Sequence, residues 1–350
     1  MTDYKIKCLN SDFCVDEVSL RPDCWPMEKS SHTYIRLEKS GYSTFEAEEK
    51  IKDFFSLNYP DVHVQGLKDE EAITSQLFSI HKILTNSKIN SFNKKFDGRK
   101  NYLRIGRVIG FGKKPIRERN LHGNCFEITV RNLSQGKLEQ IEGFFKSNRF
   151  VNFINYYDSQ RFGMPGGPYN SHVIGQKIVA RRWDEAVREM LKTQDAKDFE
   201  KIKNFKQLSP LDLLKSINPG KIFFFVNSFN SATWNKEVSK AVKKLNKCKL
   251  IKIDHVGTFN FPAHSDFIVP TTISSEAFQV DLKTFQITKR VNKRNCAIQT
   301  ATFPIKSGSD RLHKGRYYLK IAFFLPTGCY ASMLVRQLIE WVDSENDQQK

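Results

Sequence analysis

The stretch HVQGLKDEEAITSQL, residues 63–77, sets the local fold and raises the question of function. The segment DVHVQG that leads into it predicts a strand, and Gly66 marks a turn. Asp69 follows that turn, directly after Lys68. Aspartate is favoured in turns and at helix N-termini, so the pattern alone favours a turn or capping residue. The alternative is a reactive carboxylate, and the rest of the chain has to decide between the two.

The charge balance indicates a polyanionic partner. The 350 residues include 56 Lys and Arg against 38 Asp and Glu, a formal net charge of +18. Cations that neutralise phosphates release condensed counterions, so nucleic acid is the first interpretation and an anionic membrane surface the second. A hydrophobic content of 39% allows a real core in one large or two medium domains. With no long apolar run and no basic-then-apolar leader, we expect an intracellular, cytoplasmic protein, with the nucleus left open.

Cysteine and histidine usage argues against a metal site. The seven cysteines include no C-x-x-C pair, and the eight histidines include no H-E-x-x-H. A disulfide framework or a zinc ribbon is therefore not expected, and we interpret the cysteines as reduced thiols.

Apolar periodicity predicts both strands and helices. Alternation around Phe13 and Val15 predicts a strand, and HTYIRLEKSG predicts a second that closes on a Ser-Gly turn. In STFEAEEKIKDFFSLN, Ser43 and Glu46 have capping-box spacing at the start of an amphipathic helix. Further predictions are a helix in NLSQGKLEQIEGFFKSN, helices around RWDEAVREMLKT and NSATWNKEVSKAVKKL, mixed strands over 251–300, a strand in YYLKIAFFLP, and a final helix in TGCYASMLVRQLIEWV.

Residues 94–131 are the most basic part of the chain, with Lys and Arg interleaved among aromatic and aliphatic residues. This mixture suits strands and turns that present cations to RNA, although a solvated hairpin has the same composition. Further on, RFGMPGGPYN, residues 161–170, predicts a loop and a candidate domain boundary.

Four motifs, in order along the chain, resemble those of the TruD family of pseudouridine synthases. The central one has the spacing G-x-K-D-x-x-A-x-T-x-Q and includes Asp69. Before it comes K-x-x-x-x-D-F-x-V-x-E, from Lys7 to Glu17. After it come NYYDSQRFG, residues 155–163, similar to N-Y-F-G-x-Q-R-F-G, and FFLPTGCYASMLVRQL, similar to F-x-L-P-x-G-S-[FY]-A-T-x-x-[LV]-R-E-L. The resemblance runs from Lys7 to Leu338.

The resemblance implies an α/β (α+β) fold with a mixed, largely antiparallel sheet and helices. Residues 1–164 and 304–350 would form the pseudouridine synthase catalytic domain. Residues 165–303 would form an inserted, family-specific domain, with RNA in the cleft between the two.

The resemblance also makes Asp69 the catalytic carboxylate. Exchanging an N-glycosidic for a C-glycosidic bond needs a nucleophile but no metal and no redox cofactor, so we expect no cofactor. Neighbouring cations favour the ionised carboxylate, and Lys68 and Lys7 are the candidates.

The target uridine has to leave its stack, which calls for an aromatic platform. Tyr157, where the family usually has Phe, is the candidate, with Tyr156 packed inward. Arg161 offers a fork for phosphate or for Asp69, and Asn155 can hydrogen-bond the uracil edge. Phe13 and Phe162 are either substrate contacts or structural supports. The predicted RNA-binding set is Lys7, Phe13, Lys68, Asn124, Asn155, Tyr157, Arg161 and Phe162.

Three residues depart from the family pattern. Asp158 replaces a Gly, a residue type that often permits positive φ, which Asp tolerates better than most residues. Gln337 replaces a Glu, and Ser332 replaces a Thr. Asp158 puts the loop conformation and the substrate preference in question, but leaves the nucleophile in place.

The expected substrate is RNA, specifically tRNA, at the family's uridine thirteen, with no membrane and no obligate protein partner. One alternative is a catalytically silent RNA-binding protein or RNA chaperone on the same scaffold. Another is a methyltransferase, which would need a nucleotide-binding glycine loop, and GFG at 110–112 matches that poorly.

Overall fold

The computed structural model describes residues 4–20, 22–58, 60–117, 121–163, 167–193, 207–245 and 247–347. By internal contacts the chain divides into unit 1, Met1–Phe150 with Thr300–Gly328, and unit 2, Val151–Gln299 with Cys329–Lys350. This division does not identify an inserted segment, so the insertion at 165–303 stays a prediction.

Unit 1 is built on one sheet. Its strands are β1 (Phe13–Ser19), β2 (His32–Ser40), β3 (Val62–Val64), β4 (Ile73–Ile80), β5 (Tyr102–Gly112), β6 (Leu121–Leu133), most of β12 (Ala297–Ser309) and β13 (Tyr317–Pro326). Its helices are α1 (Thr44–Phe55), α2 (Asn86–Lys95) and α3 (Gln135–Ser147).

The strand order in the sheet of unit 1 is β5-β2-β4-β1-β6-β13-β12, with β3 on β4. The strand that follows α3 along the chain, β7 (Phe150–Ile154), belongs mostly to unit 2. β1 and β4 run parallel. The other pairs from β5 to β12, and β3 with β4, are antiparallel. The predicted mixed, largely antiparallel sheet is confirmed.

Helices α1 and α2 pack on the β2–β4–β5 side of the sheet. The capping box is confirmed, since Ser43 Oγ accepts from Glu46 N at 3.2 Å and Glu46 Oε2 accepts from Ser43 N at 2.7 Å. The predicted apolar face of α1 joins the core through Ala47, Ile51 and Phe55. Helix α1 also supports the turn between β3 and β4, because Thr44 Oγ1 accepts from Lys68 N.

A buried ion network joins three distant segments of unit 1. The guanidinium of Arg131 on β6 lies 2.7 Å from Asp12 and 2.9 Å from Asp310. Hydrogen bonds from Leu312 N, His313 and Asn132 N, together with Arg131, hold the pKa of Asp310 down at about 2, although burial opposes this. The network stabilises the start of β1 against β6.

Unit 2 combines helices with two small hairpins. Its elements are most of β7, α4 (Ser171–Val179), α5 (Trp183–Met190), α6 (Pro210–Ser216), α7 (Pro219–Val242), β8 (Cys248–Ile253), β9 (Gly257–Pro262), β10 (Thr272–Val280), β11 (Ile287–Asn295) and α8 (Ala331–Asp347). α4 to α7 share a core with the β10–β11 hairpin. Among the described residues, no helix has the length and apolar character needed to cross a membrane.

Candidate active site

The turn that carries Asp69 lies between β3 and β4 and is held by neighbouring motif residues. Gly66 has φ of 69°, which glycine adopts without strain. Its carbonyl oxygen accepts from Gln76 Nε2 at 3.4 Å. Thr44 Oγ1, at the start of α1, accepts from Lys68 N at 3.0 Å. Gly66 and Gln76 of the motif therefore support the turn, and the side chain of Asp69 is available for another function.

The carboxylate of Asp69 is half-buried and bound to Lys7. Lys7 Nζ lies 2.6 Å from Asp69 Oδ2, with 15% and 32% of the two side chains exposed. The same ammonium group lies 4.4 Å from the centre of the Phe13 ring. The structure thus brings three predicted site residues together, with a cation against a partly exposed carboxylate.

Lys68 does not play the part expected of it. Its amino group lies 2.9 Å from Glu17 Oε2, and both side chains are buried. Glu17 Oε1 also accepts from Leu77 N at 3.2 Å. A buried carboxylate needs a counter-charge, and Lys68 supplies it. The expectation that Lys68 acts directly on Asp69 is therefore corrected.

Lys39, at the end of β2, contacts the same turn and was missed from the sequence. Its side chain is buried, and its ammonium group donates to the carbonyl oxygens of Asp69 at 2.8 Å, Tyr42 at 2.9 Å and Lys68 at 3.2 Å. Burial lowers the pKa of Lys39 to about 8, which the charges of Asp69 and Glu70 oppose. The sequence did contain a signal for its burial. Lys39 is two residues after Leu37 and four after Ile35, so on a strand it lies on the same inward face as these two.

Asn124 lies on β6, opposite Glu17 on β1. Opposite residues of an antiparallel pair share a face, so Asn124 lies on the face that also carries Phe13. Its side-chain oxygen is buried, with no hydrogen-bond partner among the described residues. An amide left in this state can accept from a ligand.

The remaining predicted residues lie in unit 2, on the segment 155–162 that follows β7. Asn155 is buried, its N–H donates to Cys296 O at 2.8 Å, and its carbonyl oxygen accepts from Trp234 Nε1 at 3.0 Å. Tyr156 is fully buried and donates to Asn260 O at 2.6 Å, which confirms that it packs inward. That the unit 1 and unit 2 residues face one pocket stays a prediction.

The backbone of Tyr157 is held by hydrogen bonds, and its ring lies next to two guanidinium groups. Asn235 on α7 accepts from Tyr157 N at 2.8 Å and donates to Tyr157 O at 2.9 Å. The guanidinium groups of Arg294 and Arg161 lie 4.3 Å and 5.7 Å from the ring centre. Neither Arg294 nor Asn235 was singled out from the sequence. NSFNSATWNKEVS on α7, which contains Asn235, is only a weak echo of the family and gives this residue no role.

Tyr330 completes the surroundings of Tyr157 with an edge-on ring at 5.7 Å. Burial raises the pKa of Tyr330 to about 12, against the opposing charges of Arg161 and Arg294. Arg161 also donates through Nε to Ser231 Oγ at 3.2 Å. Phe162 is fully buried, with its ring edge-on to His172, so its observed contacts are those of a structural support.

Asp158 does not use the conformation that a glycine would permit. Its φ of −93° and ψ of 173° are extended, and it caps the short helix Ser159–Arg161 by accepting from Ser159 N at 2.7 Å. Its second oxygen accepts from the Ser332 hydroxyl. The loop conformation that Asp158 put in question therefore needs no positive φ, and the carboxylate works here as an N-cap. Two of the three departures from the family pattern are thus bonded to each other.

Comparison with known proteins agrees with this fold and these motifs. Residues 2–218 match the family model described as tRNA pseudouridine synthase D (TruD). The tRNA pseudouridine synthase D of Leptospira interrogans serovar copenhageni is 25% identical, with 96% of each chain covered. That of Aquifex aeolicus is 22% identical, with 96% of this chain and 98% of the relative covered.

A crystal structure from Methanosarcina mazei that carries the TruD name superposes with a TM-score of 0.60 over 97% of this chain and 93% of the other, at 18% identity, and supports the fold alone. The protein class is that of the RNA pseudouridine synthases, which are isomerases. Within that class, the chain belongs to the TruD family.

Proposed function

We propose that this chain converts uridine thirteen of tRNA to pseudouridine, with Asp69 as the nucleophile. The observation that carries the proposal is the Lys7–Asp69 pair at 2.6 Å on a turn whose backbone is bound by other side chains. A capping role needs no such cation. The activity would take place inside the cell, in the cytoplasm, where its tRNA substrate would be met.

The reaction is an exchange of glycosidic bonds within one nucleotide. The C1′–N1 bond breaks, the detached uracil rotates, and a C1′–C5 bond forms while the C5 proton is lost and N1 gains a proton. Asp69 serves either by attack on C1′ or by assisting a stepwise elimination, and both routes need the ionised carboxylate.

RNA contacts are proposed for each unit by itself. In unit 1, the buried oxygen of Asn124, which has no partner among the described residues, would accept a hydrogen bond from a base edge. In unit 2, Tyr157 would stack on the flipped base, and Arg161 and Arg294 would contact phosphate next to it. The rival function, a silent RNA-binding protein, is disfavoured by the intact Lys7–Asp69 pair.

Asp69→Asn tests the proposal because it keeps size and shape and can still serve a turn. We expect an unchanged thermal melt, retained tRNA binding and no pseudouridine in single-turnover product analysis. Glu70→Gln is the matched control, since it removes an exposed carboxylate from the same turn and should leave the product yield unchanged. Substantial turnover by Asp69→Asn would refute the assignment.

A further inference from the structure

An open cavity in unit 1 lies at the end of the sheet where β2 begins and β5 ends. It has a volume of about 390 Å³ and is lined by Pro22, Asp23, Trp25, Tyr34, Lys113, Lys114, Pro115, Ile116 and Arg117. We call it the Trp25 pocket. It shares no residue with the Asp69 turn. Along β2, Tyr34 and Lys39 are separated by about 17 Å at the usual rise of a strand.

The wall of the pocket is fixed by buried contacts. The Tyr34 hydroxyl donates to Lys114 O at 2.7 Å, and Ile116 N donates to Ser79 Oγ at 3.1 Å. Tyr34 and Ile116 are buried in one apolar cluster. Gly112 leaves the space that the Tyr34 ring needs, since a Cβ there would lie 2.0 Å from the hydroxyl oxygen. The backbone that carries Lys113, Lys114 and Arg117 is therefore held in place by these contacts.

Trp25 gives the pocket an exposed aromatic surface. Its backbone N–H donates to Phe111 O at 2.8 Å, yet 47% of the residue is exposed. The ammonium group of Lys113 lies 3.7 Å from the centre of its ring. Proteins that bind single-stranded nucleic acid use the same combination, an aromatic ring on which a base stacks and a cation next to it.

The charges of the pocket select an anion. Lys113, Lys114 and Arg117 line it, and Asp23 is the one carboxylate among the described residues of its wall. A nucleotide combines a flat base with an anionic phosphate, and it matches both the indole and the cations. RNA is also the substrate class of the family to which the chain belongs.

We propose that the Trp25 pocket binds an unpaired nucleotide of the RNA substrate, outside the active site. The base stacks on Trp25, and the phosphates lie against Lys113, Lys114 and Arg117. This inference rests on the RNA substrate of the proposed function, but not on the identity of the nucleophile. The pocket contributes affinity, and Asp69 contributes chemistry.

The test uses Trp25→Ala and Trp25→Phe in the full chain, with Phe45→Ala as a control for loss of an exposed aromatic residue in the same unit. Stacking worth about 1–3 kcal/mol per base predicts a roughly 5- to 150-fold higher Kd for single-stranded RNA in Trp25→Ala. Trp25→Phe should retain most of the affinity, and Phe45→Ala all of it. The single-turnover rate at saturating tRNA should not change in any of the three.

Tryptophan fluorescence gives a second readout on an adenosine hexanucleotide. We expect quenching in the wild type that is absent in Trp25→Phe, which still binds but lacks this indole. An unchanged Kd in Trp25→Ala, or equal quenching in both proteins, would overturn the proposal. So would binding to phosphatidylserine vesicles that depends on Trp25 while RNA binding does not. Asp69→Asn should bind the hexanucleotide like the wild type, so failure of the nucleophile assignment leaves this result intact.

Discussion

At the scale of single residues, two lysines divide the work at the Asp69 turn. Lys7 contacts the carboxylate, whereas Lys39 contacts carbonyl oxygens of the turn. Lys39 is therefore a positioning residue and Lys7 an electrostatic one. Small displacements of a reacting group can slow chemistry by about 100-fold, so both contacts matter to the rate.

We expect Lys39→Met to reduce the single-turnover rate by about 10- to 100-fold while the Kd for tRNA stays unchanged. The substitution removes the two hydrogen bonds that hold the turn and a third one to Tyr42 O, and it leaves the RNA-binding groups in place. Rapid-quench product analysis at saturating enzyme measures the rate. Lys240→Met, which removes an exposed lysine of α7, is the control and should react normally.

Lys39 also predicts a pH dependence of stability. Its folded-state pKa of about 8 lies below the usual value of 10.5, so the unfolded state binds more protons between these pH values. The wild type should therefore gain stability over Lys39→Met as pH rises from about 8 to 10.5. Urea denaturation of both proteins across this range measures the difference. A flat difference would mean that Lys39 keeps an ordinary pKa in the fold.

Tyr157 is predicted to act through its ring. Tyr157→Ala should lose modification strongly, since a stacking contact is worth about 1–3 kcal/mol, while Tyr157→Phe should be nearly neutral. The measurement is kcat/KM for tRNA in each variant. Equal damage from Phe and Ala would instead assign the function to the hydroxyl.

At the scale of elements, helix α8 holds the segment before Tyr157. Gln337 Oε1 accepts from Ile154 N at 2.8 Å, and its Nε2 donates to Ile154 O at 2.9 Å and Met333 O at 3.0 Å. Ser332 on the same helix donates to Asp158. One helix thus fixes both ends of the segment 154–158.

Gln337→Glu should destabilise the chain, although the family pattern has Glu there. An ionised carboxylate cannot donate to the carbonyl oxygens of Ile154 and Met333, and an unsatisfied buried group is worth about 1–3 kcal/mol. Burial raises a glutamate's pKa, and the protonated form can donate once. The deficit should therefore shrink as pH falls from 8 to 5, as thermal melts of variant and wild type would show. A deficit that does not change with pH would contradict this reasoning.

Local pattern predicted the elements well, because each period is set by neighbours along the chain. The capping box at Ser43 and the α1 core face are confirmed. Strand order was not accessible in this way, since β13 enters between β6 and β12 through contacts far apart in sequence. Period two gives a strand's faces but not its partners.

The same difference between local pattern and long-range contacts applies to the candidate active site. Motif spacing found Asp69 and Lys7, which the structure places 2.6 Å apart. It could not show that Lys68 is bound to Glu17, because the choice between two carboxylates depends on which of them is buried. Arg294 and Asn235 reach Tyr157 only through the fold of unit 2.

At the scale of the whole molecule, the net charge of +18 predicts salt-sensitive RNA binding. The sequence suggested Lys113, Lys114, Arg117 and Arg119 as contributors. Arg119 lies outside the described residues, and the other three line the Trp25 pocket.

Reversing Lys113, Lys114 and Arg117 to Glu should weaken tRNA binding and flatten the slope of log K against log salt, by about 0.7 for each single-strand phosphate that the variant no longer neutralises. The control reverses the exposed Lys243, Lys244 and Lys247 of unit 2, which changes the net charge by the same amount. Filter binding across a salt series measures both slopes. Equal slopes in the two variants would mean that only total charge counts.

The ribosome makes residues 154–158 long before it makes Ser332 and Gln337, which hold them. The bonded pairs are 174 and 183 positions apart. At synthesis rates of about 5–20 residues per second, this gap lasts on the order of ten to forty seconds. During that time the segment around Tyr157 lacks the hydrogen bonds that Ser332 and Gln337 of α8 later make. We therefore expect a nascent chain to leave tRNA unmodified until its last helix has been translated, even with Asp69 already folded on its turn.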